Sequence, residues 1–190
     1  MKNKLTALLA LSIYLPSAGA HSLETESVGF LSGLAHPFMG LDHILAMIAV
    51  GLWAAQIGGS AVWRLPLSFI TMMLLSAVIA ASGFNLPSPD LLIAGSVICL
   101  GLLLALAIRL PVNLSMLLVG LFAVFHGYAH GLEMPPAHSA VFYGGGFVVA
   151  TALLQLSGIA LGKISHQQPL LSRLSGVIMA MAGLYLVAVA

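Results

Sequence analysis

Residues 112–131 read VNLSMLLVGLFAVFHGYAHG, a stretch without a single Lys, Arg, Asp or Glu that ends in two histidines, His126 and His130. Twenty residues at about 1.5 Å rise each cover the ~30 Å hydrocarbon core of a bilayer. A helix is the form in which such a stretch satisfies all of its own backbone hydrogen bonds in lipid. The reading of this segment as a transmembrane helix sets the class of the whole chain, because the remainder has the same character.

Over 190 residues, hydrophobic side chains make up 61% and charged ones only 6%. A soluble domain carries about a quarter charged residues, so this chain could not cover a water-facing surface. A soluble enzyme, a nucleic-acid binder and a disordered protein are thereby excluded. A formal net charge of +1 offers no basic field for DNA, RNA or anionic lipid. The single cysteine, Cys99, cannot form an internal disulfide.

The first twenty residues have a different layout. Lys2 and Lys4 precede an apolar run from Leu5 to Leu15, which Pro16 breaks before the small residues Ala18-Gly19-Ala20. This is the three-part arrangement of a secretory signal peptide, residues 1–20, with a core too short to span. The competing reading is an uncleaved anchor. Cleavage after Ala20 would leave His21 first, in what reads as a mobile tail, and a single transmembrane domain over residues 21–190.

Turn residues divide that domain into six apolar stretches: Pro37–Gln56, Leu65–Ser82, Leu91–Leu110, Val112–Gly131, Ala140–Leu161 and Leu171–Ala190. The expected fold is an all-α bundle of six transmembrane helices. With a translocated N-terminus, Arg64, Arg109, Lys163 and Arg173 all fall at cytoplasmic ends, whereas Glu24, Glu26, Asp90 and Glu133 fall outside. That sorting follows the positive-inside rule and places both termini outside. Asp90 reads as a helix N-cap before Leu91.

The remaining polar groups concentrate in two places at the outer side. His36-Pro37-Phe38-Met39-Gly40-Leu41-Asp42-His43 opens the first span, and His126-Gly127-Tyr128-Ala129-His130-Gly131-Leu132-Glu133 closes the fourth. Ionisable groups in a membrane are expensive and are by default functional or paired. His126, His130 and Glu133 stand at i, i+4 and i+7, one stripe of a helix if that helix continues to Glu133. Pro37 disfavours helical geometry at His36, which puts His36 on a bend able to fold back over the site. Imidazole and carboxylate suit divalent nickel, zinc, cobalt or copper, and the absence of thiolate argues against copper(I). The plainer alternatives are an Asp42–His43 ion pair and His126 and His130 as hydrogen-bonding glue between helices. Met39, Met47 and Met134 are weaker ligand hints, better read as core filler. His138 and His166 read as loop residues. Gly127 and Gly131 form a G-x-x-x-G pair that lets another helix approach closely. Gly144-Gly145-Gly146 reads as a hinge or as close packing.

At His36-(x5)-Asp42-His43 and at Phe125-His126-Gly127-Tyr128-Ala129-His130-Gly131-Leu132-Glu133 the chain resembles the HupE/UreJ family of membrane proteins. That family is associated with nickel, and in some members cobalt, uptake for hydrogenase and urease assembly. The resemblance extends to the signal peptide, the size and the six-span layout. It implies a non-enzymatic inner-membrane metal permease, with His36, Asp42, His43, His126, His130 and Glu133 as candidate metal ligands. Ni²⁺ or Co²⁺ would then be a transported substrate, with no prosthetic group. The partners expected are the metal ion, the bilayer and a further copy or accessory subunit, with no nucleic acid. No P-loop motif is present, so transport would be gradient-driven or rely on another subunit. Because imidazole must be neutral to bind metal, uptake should fall as pH drops through roughly 6–7. The alternative is an intramembrane zinc-dependent hydrolase using the same cluster. The sequence has no H-E-x-x-H.

Overall fold

The computed structural model describes residues 18–82, 89–133, 139–165 and 168–189. Among the described residues every regular element is helical. The elements are α1 (Ala18–Ala35), a 3₁₀ turn (His36–Phe38), α2 (Leu41–Ile57), α3 (Ala61–Ala81), α4 (Pro89–Ala105), α5 (Val112–Glu133), α6 (Ala140–Ser165) and α7 (Pro169–Val189). Helices α3, α5, α6 and α7 are each long and apolar enough to cross a membrane. The pair Ser27–Phe38 and Leu41–Ile57 qualifies together but is bent by 79°, and α4 is a shorter apolar helix. The outer faces carry Leu, Val and Ile side chains exposed in the isolated bundle, such as Leu117, Val141, Ile164 and Ile178. That is the surface lipid requires and water penalises.

One apolar helix stands at each of the six expected stretches, with local differences at their ends. The first stretch does not start its α-helix at Pro37. Pro37, lacking an N–H, instead enters the 3₁₀ turn, and Gly40, in extended conformation, caps α2 at Leu41. The second helix begins four residues before the expected Leu65, at Ala61. Gly58 and Gly59 precede it with φ of 79° and 56°, a left-handed turn that glycine adopts without steric cost. The third ends at Ala105, short of Leu110. Ala107 has φ 55°, and the Ile108 N–H returns to the Leu103 carbonyl, closing the helix in a Schellman-type cap. Asp90 lies inside the first turn of α4 and so is not its N-cap; there its charge complements the helix dipole.

The largest difference is α1. His21, read from the sequence as part of a tail, lies within a helix that continues to Ala35 and packs along α6. Two glycines make that packing close. A Cβ on Gly33 would collide with the Tyr143 carbonyl, and one on Gly146 with the Phe30 carbonyl. Gly146 is therefore a contact surface, while Gly144 faces open space. The expected signal peptide falls outside the described residues except for Ala18 to Ala20, which open α1. Met134, His138 and His166 also lie outside them.

The other pairs follow the same rule. Helices α2 and α6 meet through Gly51, Gly158 and Gly162; α3 and α5 through Gly127 and Gly131; α4 and α7 through Gly101, Gly176 and Gly183. In lipid, helix association rests on van der Waals packing, and small residues permit it by letting backbones approach. Ser68 and Ser76 of α3 add hydrogen bonds to the Met116 and Val124 carbonyls of α5, at 3.0 and 2.6 Å. The fully buried core is formed by Met47, Val50, Trp53, Leu65, Phe69, Leu100 and Leu104.

The two ends of the bundle differ in charge. A cleft of about 250 Å³ is lined by Gln56, Arg109, Ser165, Ser172 and Arg173, gathering the ends of α2, α4 and α6 and the start of α7. Nearby, Trp53 Nε1 and Gln56 Nε2 donate to the Ile108 carbonyl at 2.9 and 3.3 Å. The acidic residues Asp42 and Glu133 stand at the opposite end, with the histidines.

Candidate metal centre

Three segments bring the site together. Helix α5 continues to Glu133, so His126, His130 and Glu133 form the expected single stripe. Helix α2 supplies His43 from its first turn. The 3₁₀ turn supplies His36, which the bend between α1 and α2 folds over the other two segments. Gly40 makes room at that bend: a Cβ there would come within 2.6 Å of Asp42 Oδ1 and 2.9 Å of the His43 ring. The glycine inside the His36-(x5)-Asp42-His43 motif is thus part of the site's packing.

One nitrogen from each of His36, His43 and His130 and one oxygen from Glu133 lie within 4.8 Å of one another. His36 Nε2 donates to Glu133 Oε2 at 3.1 Å, across 97 residues of chain, and His130 Nδ1 lies 3.5 Å from the same oxygen. The His43 and His130 rings meet edge to face with centroids 4.3 Å apart, and His36 and His130 do so at 4.9 Å. Four donors bonded to one ion at about 2.0–2.2 Å lie mostly about 3.0–3.6 Å apart, so closing on a cation draws the side chains together by on the order of 1 Å, within the reach of rotamer adjustment. Exposure is graded through the cluster: Glu133 is half-exposed, His36 partly so, and His43 and His130 are buried. A cation would therefore meet the carboxylate first and the deep imidazoles last.

Asp42 and His126 flank this group of four. Asp42 Oδ1 accepts the His43 backbone N–H at 2.9 Å and lies 3.3 Å from His43 Nδ1. The carboxylate thus sits beside the His43 ring without a hydrogen bond to it, a negative charge next to the cluster. His126 is fully buried, one turn inward of His130. Its Nδ1–H donates to the Phe122 carbonyl at 2.9 Å, which leaves Nε2 as the bare, unpartnered acceptor facing the core. Its ring is 5.8 Å from that of His43 and edge-on to Phe69 at 5.5 Å. Of the methionines, Met47 is fully buried and Met39 is exposed.

Sequence reasoning did not single out the aromatic wall. Phe147 lies 4.2 Å from the His130 ring and 6.0 Å from that of His36, and Tyr143 is 5.9 Å from His36. The available signal was their i, i+4 spacing in the first turns of α6, on the same face as Gly146. These rings exclude water around the imidazoles. Asp42→Asn retains the shape but removes the charge behind His43. It is expected to weaken divalent-cation binding by about tenfold, the lower range for a group beside a ligand, as read by equilibrium dialysis on purified protein.

The bundle of apolar helices with a partly buried cluster of three imidazoles and a carboxylate at one end defines an all-helical, multi-pass membrane protein with a metal-type donor set. The family model described as HupE / UreJ protein matches residues 9–186. The chain belongs to the HupE/UreJ family. It is 40% identical over 183 residues to "Protein HupE" of Rhizobium leguminosarum bv. viciae, covering 95% of both chains. No solved structure matches.

Proposed function

We propose that this protein is a permease that carries Ni²⁺, or Co²⁺, across the inner membrane toward the cytoplasm, with both termini of a six-span bundle outside. The observation that carries this reading is the convergence of His36, His43, His130 and Glu133 within 4.8 Å at one end of an apolar bundle. So many ionisable groups in lipid surroundings are costly, and a cation that they jointly hold offsets the cost. Asp42 and His126 complete the set, the first as a negative charge beside His43 and the second as the next donor inward.

Several features support the direction and the chemistry. Arg109 and Arg173 share one cleft at the end away from the cluster, consistent with a basic cytoplasmic face. The graded exposure from Glu133 to His43 lets a hydrated ion shed water stepwise. Imidazole nitrogen and carboxylate oxygen suit borderline divalent ions, and nickel and cobalt compete for the same N/O donors. Membership of the HupE/UreJ family, which is associated with nickel and cobalt uptake for metalloenzyme assembly, supports the same role here. Transport is driven by the ion gradient or by a partner subunit.

Proteoliposomes containing the purified protein test this reading directly. Protein-dependent entry of ⁶³Ni²⁺, reduced by competing Co²⁺, is the expected result. Vesicles with protein that accumulate no more ⁶³Ni²⁺ than protein-free vesicles would sink it.

A further inference from the structure

The cluster described above sits at one end of the bundle, and a transported ion needs a next place to bind. Helix α6 lines the cluster with Tyr143 and Phe147, and the same i+4 progression continues inward to Thr151 and Gln155. Both are buried in the bundle, at 0% and 1% exposure. The pairs Gly51–Gly158 and Ala55–Gly162 are in contact between parallel helices. Continuing that register sets Thr151 opposite Ile44, just inward of His43, and Gln155 opposite Ile48, one turn deeper.

Neither side chain has a hydrogen-bond partner. Thr151 Oγ1 and both Gln155 amide atoms, Oε1 and Nε2, are buried and unsatisfied. A helical serine or threonine ordinarily satisfies itself on a backbone carbonyl. Ser68, Ser76, Ser96, Ser115 and Ser157 all do so here. Thr151 does not. Gln155 has no cross-helix partner either, so it does not act as hydrogen-bonding glue. A buried polar group without a protein partner calls for another one, such as an ion or water.

Resting on the permease reading, we propose that Thr151 and Gln155 form an inner binding station, of neutral oxygen donors, for the divalent cation that leaves the outer cluster. Conduction requires sites that bind well enough to be entered and weakly enough to be left. The outer cluster, with two carboxylates nearby, holds a cation firmly. A hydroxyl and an amide oxygen carry no charge and hold it loosely, so they lower the barrier to inward movement without trapping the ion.

Thr151→Val and Gln155→Leu remove these oxygens with little change of shape. Each purified variant is compared with wild type for ⁶³Ni²⁺ equilibrium binding, which reads the outer cluster and folding, and for ⁶³Ni²⁺ entry into proteoliposomes. The expected result is entry slowed about tenfold, the cost of one lost polar contact in a transition state, with binding affinity retained and with entry restored in Thr151→Ser. Entry at the wild-type rate in both apolar variants would overturn the station. Loss of binding together with entry in Thr151→Val and in Thr151→Ser would also overturn it, assigning the residue to packing. Failure of the wild-type protein to admit nickel at all is a separate result that removes the permease reading itself.

Discussion

Replacing His130 by alanine is expected to weaken Ni²⁺ binding by on the order of 100-fold or more, above the range for partners that merely orient a ligand. His130 is the hub of the cluster. Its ring lies against those of His43, His36 and Phe147, at 4.3, 4.9 and 4.2 Å, and its Nδ1 is 3.5 Å from Glu133 Oε2. Only 4% of it is exposed, so water cannot readily substitute for the lost nitrogen. The variant also leaves His43 without its principal neighbour. Met39→Ala is the matched control: Met39 belongs to the His36–His43 motif yet is 82% exposed, and its replacement should leave binding unchanged. Isothermal titration of the two purified variants separates the outcomes. Equal affinity in His130→Ala and wild type would remove the cluster as the metal centre.

Gly127→Leu is expected to destabilise the bundle by about 1–3 kcal/mol or more, the range for overpacking a tight interface. A Cβ on Gly127 would already overlap the Met73 carbonyl of α3, and one on Gly131 would come within 2.5 Å of the Ala77 carbonyl. A leucine must therefore push α3 away from α5 and lengthen the bonds from Ser68 and Ser76 to the Met116 and Val124 carbonyls. Because α5 also carries His126, His130 and Glu133, nickel binding should weaken with stability. Gly144→Ala makes the contrast, since a Cβ there meets nothing and alanine favours a helix. Thermal unfolding in detergent reads both. A melting temperature for Gly127→Leu within about 2 °C of wild type, less than the shift expected from 1 kcal/mol, would show that the two helices are not in tight contact.

Much of the site was legible because its grammar is local. The spacing of His126, His130 and Glu133 specifies one face of a helix wherever that helix is placed, and α5 runs on far enough to include all three. Pro37 marked a departure from α-helix beside His36, which lies in a 3₁₀ turn, whereas the bend itself falls at Met39 and Gly40. What misled the local reading were helix ends. Ala107 in a left-handed conformation ends α4 five residues before the apolar run does, and nothing in the alanine's hydropathy marks it. Thr151 and Gln155 were visible as polar letters in an apolar span. Their lack of partners was not, because a hydrogen bond to a neighbouring helix leaves no trace in one helix's sequence.

The sequence by itself determined that this chain lives in lipid, that it is built of helices, and where its few polar groups cluster along the chain. Bilayer thickness and the 3.6-residue period act on neighbouring residues, so composition and spacing suffice. Only the tertiary structure decided that residues 18–35 form a helix against α6, and that His36 reaches Glu133. It also separated the four converging donors from Asp42 and His126 beside them. Those outcomes depend on which backbones approach one another, and here that choice is made by glycines meeting carbonyls of helices distant in sequence, a match that has no local period.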